Sequence, residues 1–317
     1  TKAGTSWLQA ELAAHPECHL RPLREIHYFD TLEARRVGRA GPVGQARARE
    51  RERLRALRAR LEGGWRRHDR GGERVPPPWQ VARLARIYQR LYVLEQWHEM
   101  IEAALAARPG RGHGHYLAFL LDGRRDEPLV ADVTPAYATL APASFAEMAR
   151  LAADVRFLMV LRDPVERLWS HCRMIAARAL AAEGLRAEAE PERFAALARA
   201  RLDRFLEAGA ADEELWARSD YAGTLSRFRA GAPRAPLHLA VFEEMIAGRG
   251  MAGICRFLGI APRRARIGRP VHAGVPLALD AARRHKAREL LAEQYAFATE
   301  ALGGRLPAAW AEATVEV

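Results

Sequence analysis

Four short apolar runs punctuate the chain: Ile26 to Phe29, Leu129 to Asp132, Arg156 to Leu161 and Leu237 to Phe242. Each is strand-sized and is followed by polar or helix-starting residues, and helical patterns fill the intervals. Strands separated by helices imply crossover units and a mainly parallel sheet covered on both faces.

Between the first two runs lies a long helical stretch. From Arg47 to Leu61 the residues Leu54, Leu57 and Leu61 recur at helical spacing, and Gly63 and Gly64 are expected to end that helix. Pro76, Pro77 and Pro78 make a stiff break. A longer amphipathic helix follows, with Val81, Leu84, Tyr88, Leu91, Leu94 and Ile101 on one side, and Pro109 with the Gly/His-rich loop Gly110 to His115 stops it. The stretch reads as a helical, substrate-side insertion at about 43–115 over the functional edge of the sheet, within a single domain of 1–317. After Pro270 a final helix is expected from about Leu279 to Ala301, closed by Gly303 and Gly304.

Composition sharpens this picture in three respects. With 317 residues, 49% of them hydrophobic and 28% charged, the chain can bury a sizeable core, and global disorder is excluded. No apolar run approaches the roughly 18 residues of a membrane helix, and no signal-peptide pattern opens the chain. The net charge of +11 comes almost wholly from arginine and suggests an anionic partner: nucleic acid, a membrane surface, a polyanionic sugar or a phosphorylated cofactor. Much of it sits between Gln45 and Arg60, where a charge run reads first as a solvated helix face. Cys18, Cys172 and Cys255 have no metal-ligand spacing and cannot all pair, so a reducing, cytoplasmic compartment is expected.

Two segments carry candidate chemistry. The opening octamer, TKAGTSWL, sets Lys2, Gly4, Thr5 and Ser6 just before an apolar helical pattern. A glycine turn entering a helix exposes backbone N–H groups, and the helix dipole makes that end a seat for phosphate. Lys2 supplies a point charge, and Thr5 and Ser6 supply hydroxyls. This is not the nucleotide-triphosphatase loop, which needs G-x-x-x-x-G-K-[ST]. The second segment, FLMVLRDPVERLWSH from Phe157 to His171, runs from a strand through Arg162-Asp163-Pro164 into a helix whose first turn suits Pro164. Arg162 stands at the strand's carboxyl end, where ligands of open α/β sheets bind, and Ser170 lies about two turns along the helix. Together they could grip one phosphate, although a surface Arg–Asp pair beside a solvated serine is the plainer alternative.

These segments resemble motifs of the PAPS-dependent sulfotransferases, PAPS being 3′-phosphoadenosine-5′-phosphosulfate. TKAGTSWL resembles the 5′-phosphosulfate loop and LRDPVERLWSH the 3′-phosphate motif. REIHYFD, from Arg24 to Asp30, is similar to the K-E-x-H-[FY]-F strand of the heparan-sulfate-type enzymes and their bacterial relatives, and VADVTPAY, from Val130 to Tyr137, to their acceptor-side [ST]-P-x-Y segment. Weaker echoes follow at SDYAGTLSRF, from Ser219, and LAVFEEM, from Leu239. The resemblance implies a P-loop-like three-layer α/β fold with a central, mainly parallel sheet. It also implies transfer of a sulfuryl group from PAPS to a hydroxyl or amine, with adenosine 3′,5′-bisphosphate as product and a small molecule or carbohydrate as acceptor.

The same resemblance implies roles. Lys2, Ala3, Gly4, Thr5 and Ser6 hold the 5′-phosphosulfate, Arg162 and Ser170 the 3′-phosphate, and Tyr221 is either an adenine neighbour or a core tyrosine. Lys2 also follows the charge that builds on the leaving oxygen. Glu25 is the first candidate for general base and His27 the second; on a strand, residues two apart face the same side. Tyr116, the loop from Gly112 to His115 and the helices from Gln45 to Ala107 are expected to shape the acceptor pocket.

Departures from the family pattern matter as well. Arg24 replaces the usual lysine, which changes hydrogen-bond geometry. Val133 stands where many heparan-type enzymes carry lysine, which speaks against a glycosaminoglycan acceptor. No strand precedes Thr1 to feed the phosphosulfate loop, so further residues are expected before it. For the basic cofactor loop near the carboxyl end only Arg264, Arg266 and Arg269 are candidates. The alternative of a basic nucleotide- or nucleic-acid-binding protein accounts for the charge but for none of the four ordered motifs, and no nucleic-acid partner is expected. A nucleotide kinase is opposed by the missing G-K-[ST].

Overall fold

A computed structural model describes residues 2–38, 44–68, 78–107, 112–263, 274–304 and 306–312. In chain order the elements are helix α1 (Thr5–Ala13), strand β1 (Cys18–His19), helices α2 (Tyr28–Arg36), α3 (Gly44–His68), α4 (Pro78–Ala106) and α5 (Gly114–Leu121), and strand β2 (Leu129–Val130). Helix α6 (Pro142–Met148) and strand β3 (Phe157–Leu161) lead to helices α7 (Pro164–Ala182), α8 (Pro191–Ala208), α9 (Glu213–Ser219) and α10 (Tyr221–Gly231). Strand β4 (Leu237–Val241) precedes helices α11 (Phe242–Ile246), α12 (Met251–Leu258), α13 (Ala281–Leu290), α14 (Ala292–Ala301) and α15 (Ala308–Glu312). By internal packing the chain divides into two compact units, one of Thr1–Glu17 with Ala138–Val317 and one of Cys18–Tyr137.

In the first unit β3 and β4 pair in parallel, from Phe157 opposite Leu237 to Leu161 opposite Val241. Parallel neighbours require a crossover, here made by α7 to α10. Helix α7 starts where it does for local reasons: the Asp163 carboxylate accepts the Glu166 N–H at 2.9 Å, and Pro164 fills the first turn, where a missing N–H costs nothing. Its apolar face, with Leu168, Trp169 and Leu180, packs into a core shared with Leu161, Phe194, Phe205 and Trp310. The helix expected over Leu279–Ala301 is two helices that meet at Leu291. Beyond the break, Gln294 turns inward, and its Oε1 accepts the Tyr221 and Ala222 N–H groups at 2.7 and 3.2 Å. Arg264, Arg266 and Arg269 lie outside the described residues, as do Pro76, Pro77, Pro109 and Pro270.

In the second unit β1 and β2 pair in parallel over two residues each, Cys18 with Leu129 and His19 with Val130. The apolar run Leu129–Asp132 is therefore strand only in its first half. Helix α3 runs through Gly63 and Gly64 to His68, although an interior glycine costs about 1 kcal/mol against alanine. Two ion pairs tie it to α4: Arg55 of the arginine run meets Glu95 at 2.7 Å, and Glu50 receives Arg90 of α4 at 2.9 Å. Helix α4 buries Leu91, Leu94 and Ile101 as expected, whereas Val81 and Tyr88 of the same stripe are exposed.

The largest departure concerns Ile26–Phe29. This run is not a strand: Ile26 and His27 lie in a loop, and Tyr28 opens α2. A short apolar run cannot by itself distinguish a strand from the buried start of a helix. Here Tyr28, Phe29 and Thr31 point inward from the first turn, and Asp30 sits at the positive end of the helix dipole.

Candidate functional site

In the first unit the opening loop folds tightly. Lys2 and Gly4 adopt left-handed backbone at φ 67° and 74°, and the Gly4 carbonyl accepts the N–H groups of Trp7 and Leu8, starting α1. Only glycine fits at position 4, since a Cβ there would lie 2.3 Å from the Phe242 ring. Ala3 is buried, and Lys2, Thr5 and Ser6 are half-buried at the helix start. The first N–H groups of a helix have no carbonyl one turn back, so this end favours an anion.

Arg162, at the end of β3, reaches this loop. Its Nη1 donates to the Lys2 carbonyl at 3.0 Å, and its guanidinium stands 4.9 Å from the centre of the Phe242 ring. Its Nε is buried without a hydrogen-bond partner. Behind it, the buried Tyr221 hydroxyl donates to the Arg162 carbonyl at 2.8 Å, so Tyr221 braces the strand end from within the core. Ser170 is half-buried on α7, and no hydrogen bond joins it to Arg162.

The sequence reading missed two neighbours on α7. Arg167 is fully buried; it donates to Ser219 Oγ, no carboxylate pairs with it among the described residues, and its Nε and Nη1 have no partner. His171 is buried one turn on, and desolvation together with Arg167 and Arg218 holds its pKa near 2, so it is neutral at physiological pH. The local balance around α7 is positive. Their i, i+4 spacing was a visible signal, but only burial gives it weight.

In the second unit the segment Arg24–Asp30 carries the other nominated residues. Glu25 and His27 both adopt left-handed backbone, at φ 53° and 56°. Among the described residues, Lys2, Glu25 and His27 are the non-glycine positions with positive φ. Such conformations persist where surrounding structure enforces them and concentrate at functional sites. Glu25 and His27 do meet, Oε2 to Nε2 at 3.1 Å, but through these backbone turns and not through strand alternation.

The other imidazole nitrogen, Nδ1, lies 2.5 Å from Asp30 Oδ2, so His27 is clasped between two carboxylates. Burial pulls its pKa down, but the hydrogen bonds to Asp30 and Glu25 outweigh burial and lift it to about 9. The hydrogen bond from His27 in turn holds Glu25 below the usual carboxylate range. At neutral pH His27 is therefore an imidazolium donor and Glu25 a carboxylate with 38% of its side chain exposed. The second-choice base cannot accept a proton there; the first can. Asp30 escaped notice in the sequence, although its i, i+3 spacing from His27 on a helix start was legible.

The loop's carbonyls are held by side chains. The buried Arg47 guanidinium donates to the carbonyls of Arg24, at 3.0 Å, and Glu25, and lies 4.1 Å over the Trp97 ring. Trp97 Nε1 donates to the Ile26 carbonyl at 2.7 Å. Tyr116 is buried, with its hydroxyl turned to Asp132, so it does not line an open pocket, whereas His115 is exposed. Among the described residues no cluster of His, Cys, Asp or Glu could hold a metal, and no helix is long and apolar enough to cross a membrane.

A crystal structure of a sulfotransferase from Alicyclobacillus acidocaldarius matches the chain with a TM-score of 0.53, over 98% of this chain and 95% of that one. The chain shares that protein's fold. At 19% sequence identity the likeness speaks to fold alone. No protein-family model matches the chain. No curated protein matches it significantly in sequence.

Proposed function

We propose that this chain is a PAPS-dependent sulfotransferase, with a P-loop-like core and one catalytic domain, acting on a hydroxyl or amine of a small-molecule or carbohydrate acceptor. The observation that carries the reading is the coincidence at Lys2, Glu25 and His27. The three positions nominated as catalytic by resemblance are those where a non-glycine backbone is held left-handed among the described residues. The shared fold with a sulfotransferase supports the same conclusion.

In this reading the donor-binding groups are those of the opening loop and of the β3–α7 junction. Lys2, Thr5, Ser6 and the amides around Gly4 hold the 5′-phosphosulfate, and Arg162 with Ser170 holds the 3′-phosphate. The residues present fit such a dianion: a tight glycine turn at a helix start, and an arginine with a buried unpartnered Nε at a strand end. Glu25 takes the acceptor's proton as the acceptor atom bonds to sulfur and the bond from sulfur to the phosphate oxygen breaks. Lys2 opposes the charge left on that oxygen, and His27, a cation at neutral pH, fixes Glu25. Within the arginine run on α3, Arg55 is spent on an ion pair with Glu95 and Arg47 on the carbonyls of Arg24 and Glu25, which weakens the nucleic-acid alternative.

The deciding experiment pairs binding with turnover. The protein should bind adenosine 3′,5′-bisphosphate far better than adenosine 5′-phosphate or ATP, and labelled PAPS should pass its sulfuryl group to a member of an acceptor panel. Glu25→Gln should lower kcat by about 10²–10⁴-fold with cofactor affinity preserved. Equal affinity for ATP and the bisphosphate would sink the proposal.

A further inference from the structure

The backbone of the Glu25–His27 loop has no sheet neighbour, so its amides must be satisfied elsewhere. The Ile26 N–H donates to Thr134 Oγ1 at 2.8 Å, and the Tyr28 N–H donates to the Tyr137 hydroxyl at 3.1 Å. Both hydroxyls pass their own protons to one carboxylate: Thr134 Oγ1 donates to Asp132 Oδ1 at 2.6 Å, and Tyr137 donates to Asp132 Oδ2 at 2.8 Å. Tyr116 adds a third donor to Oδ2, also at 2.8 Å.

Asp132 thus accepts three hydrogen bonds, from the hydroxyls of Tyr116, Thr134 and Tyr137. Because each hydroxyl donates inward, its lone pairs face the loop, as an amide donor requires. An ionised carboxylate, which only accepts, imposes that direction on both hydroxyls at once. The two amides so captured flank His27, one on each side, and Glu25 directly precedes the first. Two left-handed residues in a three-residue stretch are costly unless the surroundings over-determine them.

We propose that Asp132 is a positioning residue: through Thr134 and Tyr137 it clamps the amides of Ile26 and Tyr28 and so sets Glu25 and His27 in their reactive geometry. This rests on the sulfotransferase reading for the word reactive, but the clamp itself has an observable that does not need turnover. The His27 ring keeps its place between Glu25 and Asp30 only while the loop is held. Its titration, near 9 in the intact protein, therefore reports the clamp.

The test uses the full chain and follows the His27 imidazole proton resonance against pH, with His27→Gln giving the assignment. Thr134→Val removes the hydroxyl at constant shape, Tyr137→Phe removes the second link, Asp132→Asn alters the hub, and Thr134→Ser keeps the hydroxyl. In folded Thr134→Val and Tyr137→Phe the His27 midpoint should fall from about 9 toward 6.5. Thr134→Ser should stay at the native value. Turnover should drop at least about tenfold in the first two, appearing in kcat and not in affinity for adenosine 3′,5′-bisphosphate, within the range a positioned base contributes. A native His27 midpoint in folded Thr134→Val and Asp132→Asn overturns the proposal. So does loss of fold in both Thr134→Val and Thr134→Ser, which would make the role structural. If no variant, the native chain included, transfers sulfuryl groups yet the midpoint moves as stated, the clamp stands and the assigned reaction falls.

Discussion

Raising the pH through the His27 titration should destabilise the protein by an amount the structure bounds. Free histidine titrates at 6.5, and between Asp30 and Glu25 the folded-state value is about 9. A group whose folded pKa is raised stabilises the fold fully below the unfolded value and loses that contribution as pH rises through the folded value. The window therefore runs from 6.5 to about 9, and stability falls across it. At about 1.36 kcal/mol per pH unit the gap is worth about 3.4 kcal/mol at most. Glu25 is 38% exposed, however, so water screens one of the two partners. A loss of about 1–2 kcal/mol is the reasoned expectation.

Urea unfolding of the native chain and of His27→Gln, followed by far-ultraviolet circular dichroism below pH 6.5 and above 9, isolates the term. Other titrating groups contribute equally to both curves, so the difference belongs to His27 and its partners. The native protein should lose about 1–2 kcal/mol more than the variant. Parallel curves would mean that the imidazole is not clasped. A native protein that gained stability with pH would reverse the sign and exclude a raised pKa altogether.

Other perturbations are direct. Arg162→Ala should weaken adenosine 3′,5′-bisphosphate by about 1.5–3 kcal/mol, the scale of a charged hydrogen bond, and leave adenosine 5′-phosphate almost unchanged by calorimetry; equal weakening of both would make the residue structural. Gly4→Ala places a Cβ 2.3 Å from the Phe242 ring at φ 74°, so the loop must shift, and bisphosphate affinity should fall by tenfold or more, on the order of 1.4 kcal/mol. His171 has the opposite sign from His27: held near 2 by burial, it stabilises above 6.5 and loses this as pH falls, so His171→Gln should flatten the acid limb of stability measured by urea unfolding.

The parts that were legible in the sequence are those specified by near neighbours. Strand β3, the start of α7 at Pro164 and the glycine turn into α1 each depend on residues within one turn. Asp163 caps three residues ahead, and Gly4 accepts from Trp7 and Leu8. Strand β4 was equally plain, with four apolar residues among its five, in register beside β3. Periodicity failed where a tertiary partner outweighed it. Helix α3 runs through two glycines while the pairs Arg55–Glu95 and Glu50–Arg90 tie it to α4, and the expected carboxyl-terminal helix breaks to bring Gln294 to the amides of α10.

The Glu25–His27 segment shows the deeper reason. Its residue types named a chemistry, but its geometry was misread as a strand because the groups that hold it are far away in sequence. Trp97 takes the Ile26 carbonyl from 71 positions on, and Thr134 takes the Ile26 amide from 108. No local rule predicts that a loop will give its backbone hydrogen bonds to distant side chains and not to a neighbouring strand. The consequence is mechanistic. A strand would have put Glu25 and His27 on one face with both free to titrate, and either could then have been the base. The turns instead lock them together with Asp30, so that the imidazole is charged at neutral pH and, in the proposed reaction, the proton goes to Glu25. Activity should then hold a plateau from below the usual carboxylate range, where Glu25 loses its charge, up to about 9, where His27 loses its proton. A kcat/KM profile with an acidic midpoint near 6.5, the free histidine value, would return the role of base to His27 and would contradict the hydrogen bonds that clasp it.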